Sequence, residues 1–285
     1  YVPNAAALQL KGAGGMVLGV AAADMADPFF GSLLAAIILA SHQRGYALTL
    51  AGFEHREAEP REVQLLLQQA LSGLIVAGSG PVDWLAPFIQ RGIPIARIGG
   101  GRTPRGVHQV EPDTVTGYIA LLHHLASLGH RRLAFIGASS HVHRERLAIA
   151  RRLARTSGLD LPMERSFFCH EDVMQAGETG ARALLKTNTH RATAVICSSD
   201  AVAFGALRVF AEQGIRVPRD LSVAGFDDLP LSSLTSPPLT TLRQPVDAMV
   251  EQALDCIGAQ QPGKSKTRMP VSLIARESTS RLQGT

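Results

Sequence analysis

Three polar residues follow predicted β-strands, where a small ligand could be bound. Asp227 comes shortly after the apolar run 221–225, and Ser199 and Asp200 follow the run 192–197. An ionised carboxylate only accepts hydrogen bonds, so Asp227 suits two vicinal hydroxyl groups of a polyhydroxylated ligand. Ser199 and Asp200 also open a predicted helix, so the alternative is that either one only caps that helix.

Two adjacent aromatic residues, Phe29 and Phe30, could present a flat wall to a sugar ring or a base. The alternative is that one of them packs in the core, as one of two adjacent aromatic residues on a helix ordinarily does. Both lie at the start of a predicted helix that follows the first predicted strand.

Sequence patterns of common enzymes are absent from the chain. It has no Gly-x-Ser-x-Gly, no P-loop and no His-Glu-x-x-His, and its adjacent His123 and His124 do not have metal-ligand spacing on a helix. The run 99–101 contains three glycines without the Gly-x-Gly-x-x-Gly spacing that binds a pyrophosphate. We therefore expect no enzymatic activity, no cofactor and no metal.

The composition is that of a globular protein large enough for two domains. The 285 residues are 46% hydrophobic and 18% charged, and the net charge of +4 permits a nucleic-acid partner without requiring one. The three cysteines, Cys169, Cys197 and Cys256, are widely spaced among apolar residues, which favours reduced buried thiols in the cytoplasm. The longest apolar stretches are too short to span a bilayer, so we predict no membrane association.

Short runs rich in Val and Ile alternate with helical patterns, and this alternation predicts parallel β-α-β units. The predicted strands are 16–22, 47–51, 73–77, 93–98, 133–136, 192–197 and 221–225. The predicted helices are 29–44, 61–70, 82–90, 115–128, 144–157, 175–186 and 201–213. The sequence therefore predicts an α/β protein with two doubly wound parallel-sheet subdomains and a ligand cleft between them, at the carboxyl ends of the strands. The predicted boundaries are a hinge helix at 1–12, an N-terminal subdomain of 13–112 with 246–270, and a C-terminal subdomain of 113–245 with 271–285.

A series of motifs along the whole chain resembles the LacI/GalR (lac repressor) family of bacterial transcriptional regulators. The chain begins Tyr-Val-Pro-Asn-Ala-Ala-Ala, like the hinge helix of that family. The other matching segments are 24–30 (Asp-Met-Ala-Asp-Pro-Phe-Phe), 128–137 (Leu-Gly-His-Arg-Arg-Leu-Ala-Phe-Ile-Gly), 199–228, 239–245 (Leu-Thr-Thr-Leu-Arg-Gln-Pro) and 271–278. The resemblance implies a periplasmic-binding-protein-like core that binds a small-molecule effector and allosterically controls operator DNA binding.

The resemblance also implies roles for individual residues. Asp27, Phe29, Phe30, Arg146, Ser199, Asp200 and Asp227 match effector-binding positions, and the planar guanidinium of Arg146 could hold a hydroxyl pair, a carboxylate or a phosphate. Asn4, Ala7 and Leu10 match the DNA-binding hinge, in which Leu10 would be wedged into the minor groove. We expect a homodimer, a helix-turn-helix upstream of Tyr1 and a near-palindromic operator.

Several positions depart from the family pattern. Asp27 stands where the family usually has asparagine, Gly99 where an aspartate is common, and Ile149 where a glycine is common. Glu171 and Asp172 replace the usual Asp-Phe pair. The missing acid at position 99, with Arg146 retained, favours a sugar acid or sugar phosphate over a neutral sugar as effector.

A sugar-binding protein of a periplasmic transporter is the alternative, because it shares the two-lobed fold. The hinge-like beginning, the Leu-Gly-His-Arg-Arg segment and the unpaired cysteines favour the regulator.

Overall fold

A computed structural model describes residues 16–23, 27–53, 60–170, 172–187, 192–259 and 266–282. Their contacts divide the chain into two compact units. The first unit comprises the described residues before Asp27 together with Phe30–Glu111 and Val246–Met269. The second unit comprises Asp27–Phe29, Pro112–Pro245 and the described chain from Pro270 onward.

The first unit is built on a six-stranded sheet with the strand order β11-β5-β4-β3-β1-β2. Its strands are β1 (Val17–Ala23), β2 (Ala47–Phe53), β3 (Leu71–Ala77), β4 (Ile95–Ile98), β5 (Val107–Asp113) and β11 (Lys266–Pro270). Strands β1 to β5 pair in parallel with one another, as the alternating pattern predicts. The helices are α1 (Pro28–Gln43), α2 (Pro60–Leu67), α3 (Ala86–Gln90) and α8 (Val246–Gly258).

A buried arginine fixes the loops that follow β3 and β4. Arg97 on β4 is fully buried and donates hydrogen bonds of 2.8–2.9 Å to the carbonyl oxygens of Gly78, Gly80 and Arg102. Burial lowers its pKa to about 10, so the side chain still carries its charge at neutral pH. The long side chain therefore holds together two loops at the carboxyl end of this sheet.

The second unit contains a four-stranded parallel sheet with the order β7-β6-β8-β9 and a separate antiparallel pair, β10 and β12. The strands are β6 (Leu133–Ala138), β7 (Ser166–Cys169), β8 (Ala194–Cys197), β9 (Ser222–Ala224), β10 (Thr241–Arg243) and β12 (Ser272–Ile274). The helices are α4 (Thr114–Ser127), α5 (His141–Thr156), α6 (Val173–Lys186) and α7 (Asp200–Glu212). Mixed helices and parallel strands confirm the predicted α/β class.

Helices α6 and α7 cross with their backbones in close approach. A Cβ atom added to Gly177 on α6 would lie 2.0 Å from the carbonyl oxygen of Val202. One added to Gly205 on α7 would lie 2.0 Å from the carbonyl oxygen of Met174. Glycine at both positions therefore sets the distance between α6 and the helix that begins at Asp200.

The list of predicted strands lacks β5 and β7, as well as the short strands β10, β11 and β12. Strand β5 carries the buried polar residues Gln109 and Glu111, which interrupt its apolar pattern. Glu111 is paired with Lys266 at 2.9 Å and Arg268 at 3.0 Å, residues of β11 that only the folded chain brings near. Strand β7 has only four residues, too few for a periodic pattern.

In the part of the chain that the structure describes, no helix is long and apolar enough to cross a membrane. Over the same residues, no three His, Cys, Asp or Glu side chains are grouped as metal ligands. The three cysteines are free and buried.

Candidate effector site

Helix α5 brings Arg146 to the carboxyl-end edge of the second unit's sheet. The Ser140 hydroxyl caps the helix by accepting a hydrogen bond from the backbone N–H of His143 at 3.4 Å. His143, Arg146, Leu147 and Ala150 follow the helical spacing of three and four residues and are all buried. Arg146 therefore lies on the inward face of α5, although arginine ordinarily prefers solvent.

Three groups hold the buried guanidinium of Arg146. One terminal nitrogen donates to the carbonyl oxygen of Ser198 at 2.5 Å, and the other lies 3.5 Å from a carboxylate oxygen of Asp227. The guanidinium carbon lies 3.7 Å from the ring centroid of Phe226, within cation–π range. The guanidinium carries five N–H groups, and these contacts use two of them, so donors remain for another partner.

Asp227 is the acidic partner in this site. Its Oδ1 atom accepts a hydrogen bond from Gln244 at 2.6 Å and faces Arg146, whereas no described protein group donates to its Oδ2 atom. Burial raises the pKa of Asp227 well above its ordinary value, and the charge of Arg146 opposes this rise. A buried carboxylate with one unused oxygen can accept further hydrogen bonds from a ligand.

The backbone at Asp227 and Asp228 has positive φ angles, which residues other than glycine rarely adopt. The φ angles are +121° at Asp227 and +57° at Asp228. The Asp228 carboxylate pairs with Arg243 at 2.6 Å and with Arg276 at 2.7 Å, which holds the turn in place. Strain of this kind is often found at binding sites, because surrounding contacts must maintain it.

Asp200 is occupied by donors of the protein itself. Its carboxylate accepts hydrogen bonds from the backbone N–H of Leu229 at 2.8 Å and from the hydroxyls of Ser232 and Thr241 at 2.5 Å each. Burial raises its pKa, and these hydrogen bonds oppose the rise. Asp200 thus fixes the segment after Asp227 and the start of β10. The neighbouring Ser199 caps α7 by accepting from the N–H of Val202 at 3.3 Å, as in the alternative considered for it.

Comparisons with known proteins agree with the motifs of the sequence. The family of periplasmic binding protein-like domains matches residues 122–279. The regulator GalS of Salmonella typhimurium is 31% identical over 265 residues, which cover 90% of this chain and 76% of that protein. The regulator DegA of Bacillus subtilis is 29% identical over 99% of this chain and 86% of its own length. The chain belongs to the LacI/GalR family of transcriptional regulators.

Solved structures of LacI-family regulators have the same fold. A LacI regulator from a Rhodococcus species is 29% identical with a TM-score of 0.82, over 93% of this chain and 99% of that one. The lac repressor dimer, solved with operator and the anti-inducer ONPF, is 27% identical with a TM-score of 0.80, over 98% of this chain and 99% of that one. These relatives are regulators, so the comparisons support a transcriptional regulator rather than a transport protein.

Of the other LacI/GalR positions singled out in the sequence, Asp27 and Phe29 belong to the second unit, and the charge of Asp27 contributes to the raised pKa of Asp227. Asp27 precedes α1 and accepts a hydrogen bond from the N–H of Phe29 at 3.0 Å. Phe29 and Phe30 are half-buried in the first turn of α1. The hinge residues Asn4, Ala7 and Leu10 lie outside the described residues.

Four neighbours of the Arg146–Asp227 pair were not predicted as site residues: Tyr118, His143, Phe226 and Gln244. Phe226 and Gln244 lie inside segments that carry the LacI/GalR resemblance, so the motifs contained a signal for them. His143 precedes Arg146 by three residues, and its Nδ1 atom lies 2.6 Å from the Ser198 hydroxyl. Nothing in the sequence indicates Tyr118, because only the fold brings its helix against Phe226.

Proposed function

We propose that this chain is the effector-binding core of a LacI/GalR repressor and that its effector is a small polyhydroxylated molecule, a sugar, sugar acid or sugar phosphate. The observation that carries this proposal is the buried pair of Arg146 and Asp227, which retains unused donors and an unused acceptor. In the proposal, Arg146 and Asp227 contact the effector, and Asp200 and Ser199 position the segments around it. Asp27, Phe29 and Phe30 remain candidate effector contacts.

The chemistry of the pair fits a ligand that carries adjacent hydroxyl groups. Asp227 Oδ2 can accept from one or two hydroxyls, and the remaining Arg146 N–H groups can donate to a hydroxyl or to an anionic oxygen. The buried ring of Phe226 keeps the guanidinium in place, so little side-chain entropy is lost on binding. A ligand that satisfies these groups offsets part of the cost of burying two charges.

Exposed apolar side chains support a homodimer. Leu231 and Leu234 of the second unit are 58% and 77% exposed, and Leu39 and Leu50 of the first unit are 63% and 51% exposed. Pairing these surfaces with a second copy would remove them from water. The related lac repressor was solved as a dimer on its operator, which supports the same assembly and an operator DNA partner here.

In the proposal, the effector acts on DNA binding through the hinge segment that contains Asn4, Ala7 and Leu10. Effector and operator binding are then coupled reciprocally, because any factor by which the effector changes DNA affinity is returned by DNA on effector affinity. A regulator of transcription acts where the DNA is, so we propose a cytoplasmic location. The relatives are named as regulators, which supports a binding role rather than an enzymatic one.

A thermal-shift titration of single-site variants tests the effector site. The probes are ribose, galactose, cellobiose, gluconate and glucose 6-phosphate, and the variants are Arg146→Met and Asp227→Asn. Asp220→Asn is the matched control, because Asp220 forms an exposed ion pair with Arg216 at 2.7 Å. A probe at a hundred times its dissociation constant should stabilise the parent and the control by about 2.7 kcal/mol.

Each site variant should bind that probe at least about tenfold more weakly, because a hydrogen bond to a charged group is worth about 1.5–3 kcal/mol. Selective binding of gluconate or glucose 6-phosphate would identify an acidic effector. The proposal is wrong if no probe binds the parent, or if Arg146→Met and Asp227→Asn bind the probe as tightly as Asp220→Asn does.

A further inference from the structure

The hydroxyl group of Tyr118 is buried without a partner. Tyr118 lies on α4, its side chain has no exposed surface, and among the described residues nothing hydrogen-bonds to its hydroxyl oxygen. Buried tyrosine hydroxyls usually find a partner, because an unpaired one loses its bonds to water without replacement. Phenylalanine would fill the same space without that cost. The oxygen is therefore unexplained by the packing of the protein alone.

The position of Tyr118 places it next to the Arg146–Asp227 pair. Its ring centroid lies 5.9 Å from that of Phe226, with the two rings tilted by 39°. The same Phe226 ring carries the guanidinium of Arg146 at 3.7 Å and directly precedes Asp227 in the chain. Phe226 is thus a shared neighbour of the tyrosine and of the charged pair.

The backbone next to Tyr118 is closely packed, and the Tyr118 side chain is fully buried. A Cβ atom on the preceding Gly117 would lie 2.7 Å from a side-chain carbon of Val271 and 3.3 Å from one of Leu242. Helix α4 therefore packs closely against β10 and against Val271, the residue before β12. A fixed hydroxyl can discriminate between ligands, because it cannot turn away to another partner.

The electrostatic surroundings keep the hydroxyl protonated. Burial raises the pKa of Tyr118, the positive charge of Arg146 lowers it, and the negative charge of Asp227 raises it. The two charges of the site therefore act on this oxygen. A protonated phenol can both donate and accept, which matches the hydroxyl groups of a sugar.

We infer that the Tyr118 hydroxyl binds a hydroxyl group of the effector, directly or through one bridging water molecule, and so helps to select the effector. This inference rests on the proposed function, since it concerns the same site. It assigns Tyr118 a role in ligand selection rather than in the stability of the core.

Tyr118→Phe is the test, because it removes only the oxygen atom. Its affinity for whichever of ribose, galactose, cellobiose, gluconate or glucose 6-phosphate binds the parent is measured by calorimetry. We expect a loss of about 5- to 150-fold, the range for removing one partner of a buried hydrogen bond. The melting temperature without ligand should be unchanged or higher. Tyr46→Phe is the control, because Tyr46 is a buried tyrosine of the first unit. This variant should bind the probe as tightly as the parent does.

Monodeoxy analogues of the bound probe locate the partner hydroxyl. One deoxy analogue should bind the parent more weakly than the full probe does. Its affinity for Tyr118→Phe should be no lower than its affinity for the parent, because the deoxygenation and the substitution remove the same contact. A measurement that does not depend on the variant is the tyrosine near-ultraviolet difference spectrum of the Tyr46→Phe protein on ligand addition. A new hydrogen bond to the phenol should shift this spectrum.

The outcomes separate the inference from the proposed function. If Asp227→Asn loses the probe but Tyr118→Phe binds it as tightly as the parent, the inference is overturned and the proposed site stands. Tyr118→Phe could lose both affinity and thermal stability. In that case the difference spectrum decides, and the inference is overturned if ligand addition leaves the tyrosine spectrum unchanged. If no probe binds the parent, the proposed function fails and the inference fails with it.

Discussion

Two glycine-to-alanine substitutions in helices should have opposite effects on stability. Gly205 on α7 is buried, and an added Cβ would lie 2.0 Å from the carbonyl oxygen of Met174 on α6. Gly31 on α1 is exposed, and an added Cβ there meets nothing within 4 Å. Both positions gain helix propensity from alanine, but only Gly205 must also accommodate a methyl group against another backbone.

The magnitude follows from this geometry. Alanine is favoured over glycine inside a helix by about 0.5–1 kcal/mol, so Gly31→Ala should raise the unfolding free energy by about that amount. At Gly205 the helices must move apart by at least 1.0 Å, the difference between the 2.0 Å contact and the 3.0 Å below which Cβ atoms are essentially never found. Overpacking costs about 1–3 kcal/mol, and contact with a rigid backbone favours the upper end. After the propensity gain is subtracted, Gly205→Ala should lose about 2 kcal/mol.

Urea unfolding of the parent and both variants provides the assay. Circular dichroism follows the helices of both units, and the fluorescence of Trp84, the only tryptophan in the sequence, follows the first unit. The circular-dichroism transition should move to lower urea in Gly205→Ala and to higher urea in Gly31→Ala. A Gly205→Ala protein as stable as the parent would refute the argument, because the close crossing of α6 and α7 would then carry no energetic consequence.

Two further predictions concern assembly and pH. Leu234 is 77% exposed, so Leu234→Glu should convert a dimer into a monomer, as measured by light scattering. A parent protein that is monomeric, or a variant that stays dimeric, would contradict the proposed homodimer. Burial lowers the pKa of His124 and His130, which contact the C-terminal segment through Thr279 and the carbonyl oxygen of Ser280. As the pH falls through about 6.5, the ordinary histidine pKa, the unfolded chain therefore binds more protons than the folded one. The free energy of unfolding falls with this proton uptake, so the two neutral histidines stabilise the fold above that pH and less below it. The test is urea unfolding at pH 7.5 and 5.5, where the double variant His124→Gln, His130→Gln should lose less unfolding free energy on acidification than the parent. The raised pKa values of Asp200 and Asp227 affect both proteins alike. Equal losses would therefore contradict the assignment to these histidines.

Local patterns in the sequence indicated many of the strands and helices, and its motifs indicated the family. Alternation of Val- and Ile-rich runs with helical patterns identified β1, β6 and β8, because burial on both faces of a parallel sheet leaves continuous apolar runs. It failed at β5, where Gln109 and Glu111 are buried. Glu111 is paired with Lys266 and Arg268 from a distant part of the chain, and Gln109 donates to the carbonyl oxygens of Gly99 and Gly101 in the loop after β4, so no apolar pattern marks this strand. The motifs from the hinge segment to the last strand were sufficient to identify the LacI/GalR family.

The candidate site was only partly accessible from the sequence. Arg146 and Asp227 were predicted individually, and the structure places them 3.5 Å apart, although 81 positions separate them in the chain. Their role in effector binding stays a prediction. Strand ends were informative because parallel strands bring their carboxyl ends to one edge of a sheet.

Which polar groups remain available to a ligand depends on how distant segments pack together. Asp200 and Asp227 look alike in sequence, each an acid shortly after a strand, but Leu229, Ser232 and Thr241 occupy Asp200 whereas Asp227 keeps one oxygen unused. Tyr118 is an ordinary helical residue until α4 packs its ring against Phe226. A local sequence pattern indicates which residues of a helix or strand are buried. The pairing of hydrogen-bond donors with acceptors depends instead on which distant segments folding brings together.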